Sequence, residues 1–362
     1  MSAHPVPRLS WLFPAAAVAF VSITTAIGLG FTPTAQGLIF AVVLLVILFG
    51  TVFAAVHHAE IIAHRIGEPY GTLLLTLSVI IIEVAVIATI MIGDKSAPTL
   101  ARDTVFAVVM IVCNGLVGLC ILAGGLRYAE QEFQVSGAKV YLSVLIVLST
   151  ITLILPNYTL ATPGPLFSLL QLAFVSVVTM ILYGLFLYTQ TVLHRDYFIN
   201  DSSDEDGGDL STYSITMNAL LLVVSLISVV MLAKSFSVVV DAGGAAIGAP
   251  PAFTGIVVAL LVLLPESVAA ISAARHNKLQ KSINLSLGSA LATISLTIPA
   301  VALAAYLLDK PLVLGLPQSE MVLLVMTFAI SMLTFATGVT NILFGMVHLL
   351  VFAVFLLTVF AP

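Results

Sequence analysis

Between Gly67 and Ile92 the chain reads GEPYGTLLLTLSVIIIEVAVIATIMI, an apolar run long enough to cross a bilayer, with Glu68 at its edge and one carboxylate, Glu83, in its interior. A carboxylate at that depth costs roughly 2.5 to 3.5 kcal/mol even on lenient insertion scales, so such residues usually face a polar interior and mark an ion or proton pathway. A second run repeats the arrangement. Pro251 to Ala274, PAFTGIVVALLVLLPESVAAISAA, holds Glu266 past its midpoint and no other acid. Two isolated membrane carboxylates, one per half of the chain, are therefore the candidate ion-binding groups.

Of the 362 residues 60% are hydrophobic and only 8% charged, where a soluble domain carries about a quarter charged residues. Apolar runs of about 20 residues recur between short polar connectors, the pattern of a helical bundle and not the ten-residue alternation of an outer-membrane barrel. The expected fold is therefore an all-α polytopic membrane protein of about eleven spans. Their expected limits are Trp11 to Phe31, Gln36 to Val56, Pro69 to Ile92, Arg102 to Leu126, Ala138 to Leu155 and Pro165 to Thr191. Tyr213 to Ala233, Pro251 to Ala274, Ile283 to Leu307, Glu320 to Thr337 and Val339 to Phe360 complete the set. Only Gly338 parts the last two, so one long kinked segment stays open. Prolines such as Pro33, Pro98, Pro156, Pro251 and Pro317 fall at expected ends, where a missing N–H is harmless. The first run lacks an A-x-A-like cleavage site and reads as a retained helix.

Cationic residues orient the spans. With a cytoplasmic N-terminus that side collects Arg8, Arg65, Arg127, Lys139, Arg195, Arg275, Lys278 and Lys281, against Lys95, Arg102, Lys234 and Lys310 opposite. The acidic segment Asn200 to Asp209, NDSSDEDGGD, divides the chain on the cytoplasmic side and reads either as a solvated linker or as a cation-attracting loop. The implied divisions are 1–35, an extra N-terminal helix; 36–193, a first five-helix repeat; 194–212, the acidic linker; and 213–362, a second five-helix repeat. An odd number of spans per repeat inverts one against the other, as in secondary transporters that place their ion site at the repeat interface.

Thr72, Thr76 and Glu83 fall within about 40° of each other on a helical wheel. The threonines either line a path to the glutamate or bond back to their own helix. Around Glu266 the same face carries Gly255, Ala259, Ala270 and Ala273, small enough for a close neighbour. Pro265 removes an N–H beside the glutamate, giving either a simple kink or freed carbonyls for a cation. The span after each glutamate is polar too: Asp103, Asn114, Gly118 and Gly125 share a face of the fourth, with Asp103 near the membrane surface. In the ninth, Asn284, Gly288 and Ser295 lie on one face and Ser286, Ser289, Thr293 and Thr297 on another. Glutamates supported by Thr76, Asn114, Asn284, Ser289 and Thr293 make an all-oxygen site suited to hard cations such as Ca²⁺. Helical geometry separates Cys113 and Cys120 by about 10 Å, too far for a disulfide. HHAEIIAHR, His57 to Arg65, lacks the H-E-x-x-H spacing of a metalloprotease and reads as an interfacial connector.

The phrases AEIIAHRIGEPYGTLLLTLSVIIIEVAVIATI and FTGIVVALLVLLPESVAAISAARHNKLQKSINLSLGSALATISLTIP, with the order of elements around them, resemble the calcium/cation antiporter superfamily. Within it they look most like the bacterial ChaA-type sodium(potassium)/calcium–proton antiporters of the cation/proton exchanger branch. The resemblance implies acidic ligands at Glu83 and Glu266, a GS-type helix at Gly288 and Ser289, and a multi-pass protein of the bacterial inner membrane. Exchangers of the vacuolar branch read Gly-Asn-Ala-x-Glu, whereas Ser78 to Ile82 and Val262 to Pro265 precede the acids here, so the asparagine is missing from both repeats. The implied activity is exchange of cytoplasmic Ca²⁺, Na⁺ or K⁺ for protons, with no cofactor and no enzyme chemistry. A channel, a carrier of another substrate, or an intramembrane metal-dependent hydrolase are the alternatives. Expected partners are inorganic cations, protons and membrane lipid, with a homo-oligomer left open and no nucleic acid.

Overall fold

The computed structural model describes residues 9–67, 70–92, 98–198 and 214–361. Arg8, Pro69, Lys95 and the acidic segment Asn200 to Asp209 lie outside the described residues. Among the described residues eleven main helices follow in order: α1 (Leu9–Ala26), α2 (Ala35–Ile66), α3 (Tyr70–Ile92), α4 (Leu100–Tyr128), α5 (Val135–Tyr158), α6 (Leu169–Leu193), α7 (Ile215–Ala246), α8 (Ala252–Arg275), α9 (Leu279–Leu307), α10 (Gln318–Thr334) and α11 (Ile342–Phe360). Nine are long and apolar enough to cross a bilayer, and α1 and α10 are shorter. The starts are chemically marked: Thr34, Ser168, Ser214 and Asn341 each accept a backbone N–H of the first turn, and Ser168 with Gln171 closes a reciprocal capping box.

Two helices outrun their expected ends. The span expected to stop at Val56 continues to Ile66, and the one expected to stop at Ala233 continues to Ala246. Polar side chains do not interrupt a backbone ladder; each helix ends only near a glycine in the left-handed region, Gly67 at φ 76° and Gly248 at φ 67°. His57 to Arg65 is therefore helix and not a connector, and Lys234 lies inside α7, exposed on its surface. The last two spans are separate. Gly338 at φ 80° turns the chain into β2 (Val339–Asn341), which pairs antiparallel with β1 (Glu130–Glu132), Glu130 opposite Asn341. These two short strands have no counterpart in the sequence reading.

The helices form two compact units that ignore chain halves. One contains the described parts of 1–96 and 205–249, the other those of 97–204 and 250–362. In the first unit α1 packs on α2 and α7, and α3 packs on the same pair. Gly50 leaves room for the ring of Phe13, and the rings of Phe20 and Phe40 meet at 5.3 Å. The fully buried His58 joins three helices: Nδ1 lies 2.9 Å from Asn218 Oδ1 on α7, and Nε2 lies 3.2 Å from the Ser10 carbonyl on α1. Asn218 Nδ2 donates to the Ser214 carbonyl at 3.1 Å, which fixes the amide so that its oxygen faces the imidazole. Interhelical hydrogen bonds in membranes average about 0.6 kcal/mol and reach about 1.7. A neutral imidazole has one N–H for these two acceptors, so His58→Leu should cost about 0.6–1.7 kcal/mol for the bond lost, seen as a lowered melting midpoint and faster proteolysis within α1. An unchanged midpoint would remove His58 as the anchor.

In the second unit α8, which carries Glu266, is held from several sides. A Cβ on Gly255 would meet the backbone of Asp103 and Thr104 at 2.9 Å, so α4 and α8 touch through the small residue. At the other end Gln131 of β1 donates to the Ala274 carbonyl and to Asn277 Oδ1, both at 3.0 Å. The strand pair thereby clasps the C-terminus of the glutamate helix.

Candidate functional site

Glu83 sits thirteen residues after the start of α3 and is 0% exposed. Thr72 and Thr76 are half-buried on the same helix, while Ser78 bonds back to the Leu74 carbonyl at 2.8 Å. A carboxylate withdrawn this completely from solvent in an apolar helix is a costly feature that packing alone does not call for.

Glu266 is half-buried, fourteen residues after the start of α8. The helix runs unbroken through Pro265, so the expected disturbance amounts to one missing N–H, the one that would have bonded the Leu261 carbonyl. Beside α8 run α4 and α9, each 29 residues long and each containing a single wide π turn, Ile111–Leu116 and Thr293–Thr297. Such turns release backbone groups from the regular ladder and cluster at functional sites. Thr293 is buried and Ser289 half-buried on α9.

Asn114 and Asn284 belong to separate networks. Asn284 Nδ2 donates to the Phe198 carbonyl at 2.6 Å, its Oδ1 accepts from Gln280 Nε2 at 2.9 Å, and Gln280 Oε1 in turn accepts from the Gln134 N–H at 2.7 Å. The side chain ties α9 to the connections on either side of α5 and α6. Asn114, in the π turn of α4, is 0% exposed and donates to Thr327 Oγ1 of α10 at 2.8 Å, while its Oδ1 faces His348 of α11 at 3.3 Å. His348 lies well inside the expected eleventh span and well inside α11, a signal legible in the sequence; Thr327 and Thr334 carry none.

Asp103 is buried at the start of α4, where Thr99 donates to it at 2.8 Å and Arg102 forms an ion pair at 2.7 Å. Arg102 also donates to the Gly315 carbonyl at 3.1 Å. Asp103, Phe106, Ala252, Ile256, Glu320 and Phe355 border a small cleft there. Among the described residues no group of three or more His, Cys, Asp or Glu side chains could hold a metal ion.

Long apolar helices, each half with one carboxylate helix followed by a π-turned span, define a class of multi-pass membrane protein. The family model for the sodium/calcium exchanger protein matches residues 35–192 and 217–361, and the chain belongs to that family. The two matched stretches fall on either side of the acidic segment. A putative ionic transporter, y4hA, of Sinorhizobium fredii is 44% identical over 361 residues, covering 98% of this chain and 96% of the relative. The sodium-potassium/proton antiporter ChaA of Escherichia coli is 41% identical over 320 residues, 87% of each chain. Among solved structures the fold is similar to that of native YfkE, with a TM-score of 0.74 at 18% identity over 98% of this chain and 100% of that one. It is also similar to that of the H⁺/Ca²⁺ exchanger CAX, with a TM-score of 0.69 at 15% identity over 96% of this chain and 88% of that one.

Proposed function

We propose that the chain is a secondary antiporter that exchanges one or more of cytoplasmic Ca²⁺, Na⁺ and K⁺ for protons. The fully buried carboxylate of Glu83, with Glu266 at the matching place in the second half, carries the reading. Two ionised glutamates bear a charge of −2, and protons compete with a metal for the same oxygens. One Ca²⁺, two monovalent cations or two protons neutralise the pair. A neutralised site can change access cheaply, because a bare charge moved through the membrane carries a large penalty. That condition couples the two fluxes and yields alternating access.

The two halves support an inverted repeat by their lengths. α2 and α7 each have 32 residues, α3 and α8 have 23 and 24, and α4 and α9 have 29 each with the π turn near the middle. Thr76, Asn114, Ser289 and Thr293 are read as supporting oxygens, with Asn284 as a strut whose amide is already engaged. The sodium-potassium/proton activity in the name of the Escherichia coli relative supports the choice of monovalent ions, and a bacterial inner-membrane setting is part of the same reading. Cationic loops support a cytoplasmic N-terminus. Everted vesicles bearing a proton gradient supply the test: adding Ca²⁺, Na⁺ or K⁺ one at a time should dissipate the gradient, and no response to any of them would reject antiport.

A further inference from the structure

The imidazole of His348 is not among the cation- and proton-carrying groups, yet it is 0% exposed and ends a directed chain of hydrogen bonds. Thr327 Oγ1 gives its proton to the Leu323 carbonyl at 2.8 Å, so toward Asn114 it can only accept. Asn114 Nδ2 supplies that bond at 2.8 Å and also approaches Met110 Sδ at 3.8 Å. The amide is thereby oriented, with Oδ1 turned to His348 Nδ1 at 3.3 Å, so that Nδ1 carries the hydrogen. Nε2 lies 2.9 Å from Thr334 Oγ1 and accepts from it in the neutral ring. Every group in the run Thr334–His348–Asn114–Thr327 is satisfied with one tautomer and one amide orientation.

The helix crossing that brings α11 to α4 is built from glycine. A Cβ on Gly118 would meet the Gly345 carbonyl at 3.0 Å, and a Cβ on Gly345 would meet the Gly118 carbonyl at 3.0 Å. Asn114 and His348 lie one turn from these glycines, on the same crossing. The π turn around Asn114 also packs against α8 and α9, the helices of Glu266 and of Ser289 and Thr293.

We propose that His348 is a positioning residue for exchange, which by donating from Nδ1 clamps the Asn114 amide within the π turn and so sets the apparent affinity for the cation. The proposal rests on Asn114 as a supporting oxygen. With Nδ2 held by Thr327 and one lone pair of Oδ1 held by His348, the amide cannot rotate, and the second lone pair keeps a fixed direction. Without the imidazole donor the amide is pinned at one end only.

The test uses the full chain in everted vesicles. His348→Leu should raise the cation concentration for half-maximal gradient dissipation roughly three- to twentyfold, the range corresponding to about 0.6–1.7 kcal/mol, with the maximal rate little changed. His348→Asn, whose amide nitrogen takes the place of Nδ1, should restore affinity, whereas His348→Gln, which reaches toward Thr334 instead, should not. The double variant His348→Leu with Asn114→Ala should be no worse than Asn114→Ala alone. Wild-type affinity in a well-folded His348→Leu protein, additive losses in the double variant, or equal behaviour of the Asn and Gln variants would overturn the clamp. If the leucine variant fails to fold, the Asn and Gln pair still decides. Nitrogen NMR of histidine-labelled protein, with His348→Gln to assign the signal, should show the Nδ1–H tautomer, and the Nε2–H tautomer would refute the clamp. A chain inert toward every cation would reject the antiport reading, while the tautomer would still report on the clamp.

Discussion

Glu83→Gln, and separately Glu266→Gln, should reduce cation-driven proton movement in everted vesicles to the background of empty membranes, while the protein is still made, inserted and monodisperse after extraction. Glutamine keeps the size of the side chain and most of its hydrogen-bonding reach but can neither lose a proton nor offer a full negative charge. On the proposed cycle, a Ca²⁺ ion bound beside a single carboxylate leaves a net positive charge, and a site that must move while charged meets the barrier that a neutralised site avoids. The loss should therefore fall on turnover as well as on affinity, and raising the cation concentration should not rescue it. Folding is expected to survive because the amide is cheaper to bury than a carboxylate. Since Glu83 is fully buried and Glu266 half-buried, Glu83→Gln should be at least as well folded as the parent. Substantial exchange in both variants would eliminate the glutamates as the cation and proton carriers.

Gly118→Leu should be the most damaging single change to the second unit. The crossing of α4 and α11 places each glycine against the other's backbone, so even a methyl group at Gly118 would lie 3.0 Å from the Gly345 carbonyl and 3.1 Å from the Leu349 nitrogen. Backbone cannot move aside as a side-chain end can, and the helices must separate. Overpacking costs typically about 1–3 kcal/mol, and the separation also strains the Asn114–His348 bond one turn away. Tight contact through small residues is what holds helices together where lipid tails are as apolar as the side chains. We expect a sharp fall in extractable, monodisperse protein with Gly118→Leu and a smaller, measurable fall in melting midpoint with Gly118→Ala. By contrast Gly184, whose added Cβ meets nothing within 4 Å, should accept alanine without loss. Equal behaviour at the two positions would show that the crossing is not a close contact.

Much of this architecture is legible in the sequence because lipid imposes a simple rule on it. Apolar length finds the spans, and a lone acid inside one is conspicuous. Glu83 and Glu266 and the small face of Gly255 emerge directly, and the small residues of the fourth span, Gly118 and Gly125, do pack against α11. Helix ends are less visible, because hydropathy reports where lipid stops and not where the backbone ladder stops. His57 to Arg65 and the stretch through Lys234 to Ala246 are polar or mixed yet helical, ended only near glycines at positive φ. The strand pair rests on two segments some two hundred residues apart, EQE and VTN, neither with a strand-like pattern. Partners such as Thr327 and Thr334 carry no sequence signal, since a threonine in a membrane helix more often bonds to its own carbonyls. Asn284 looked like a cation ligand for a related reason: periodicity shows which face a side chain shares and not that Phe198 and Gln280 already occupy its amide.

The matched 32-residue helices α2 and α7 set a length that the bilayer must accommodate. At 1.5 Å per residue each measures about 48 Å, about 18 Å more than a typical hydrocarbon layer. The surplus goes into lean or into overhang past the headgroups, and either is relieved or worsened as the lipid thins or thickens. The helices α3 and α8 that bear the carboxylates, at 23 and 24 residues and so about 35 Å, are close to a natural fit with modest tilt. In the first half α2, on which bilayer thickness acts strongly, packs on α3, which it barely touches, and lipid chain length becomes a mechanical input to the helix that packs beside Glu83.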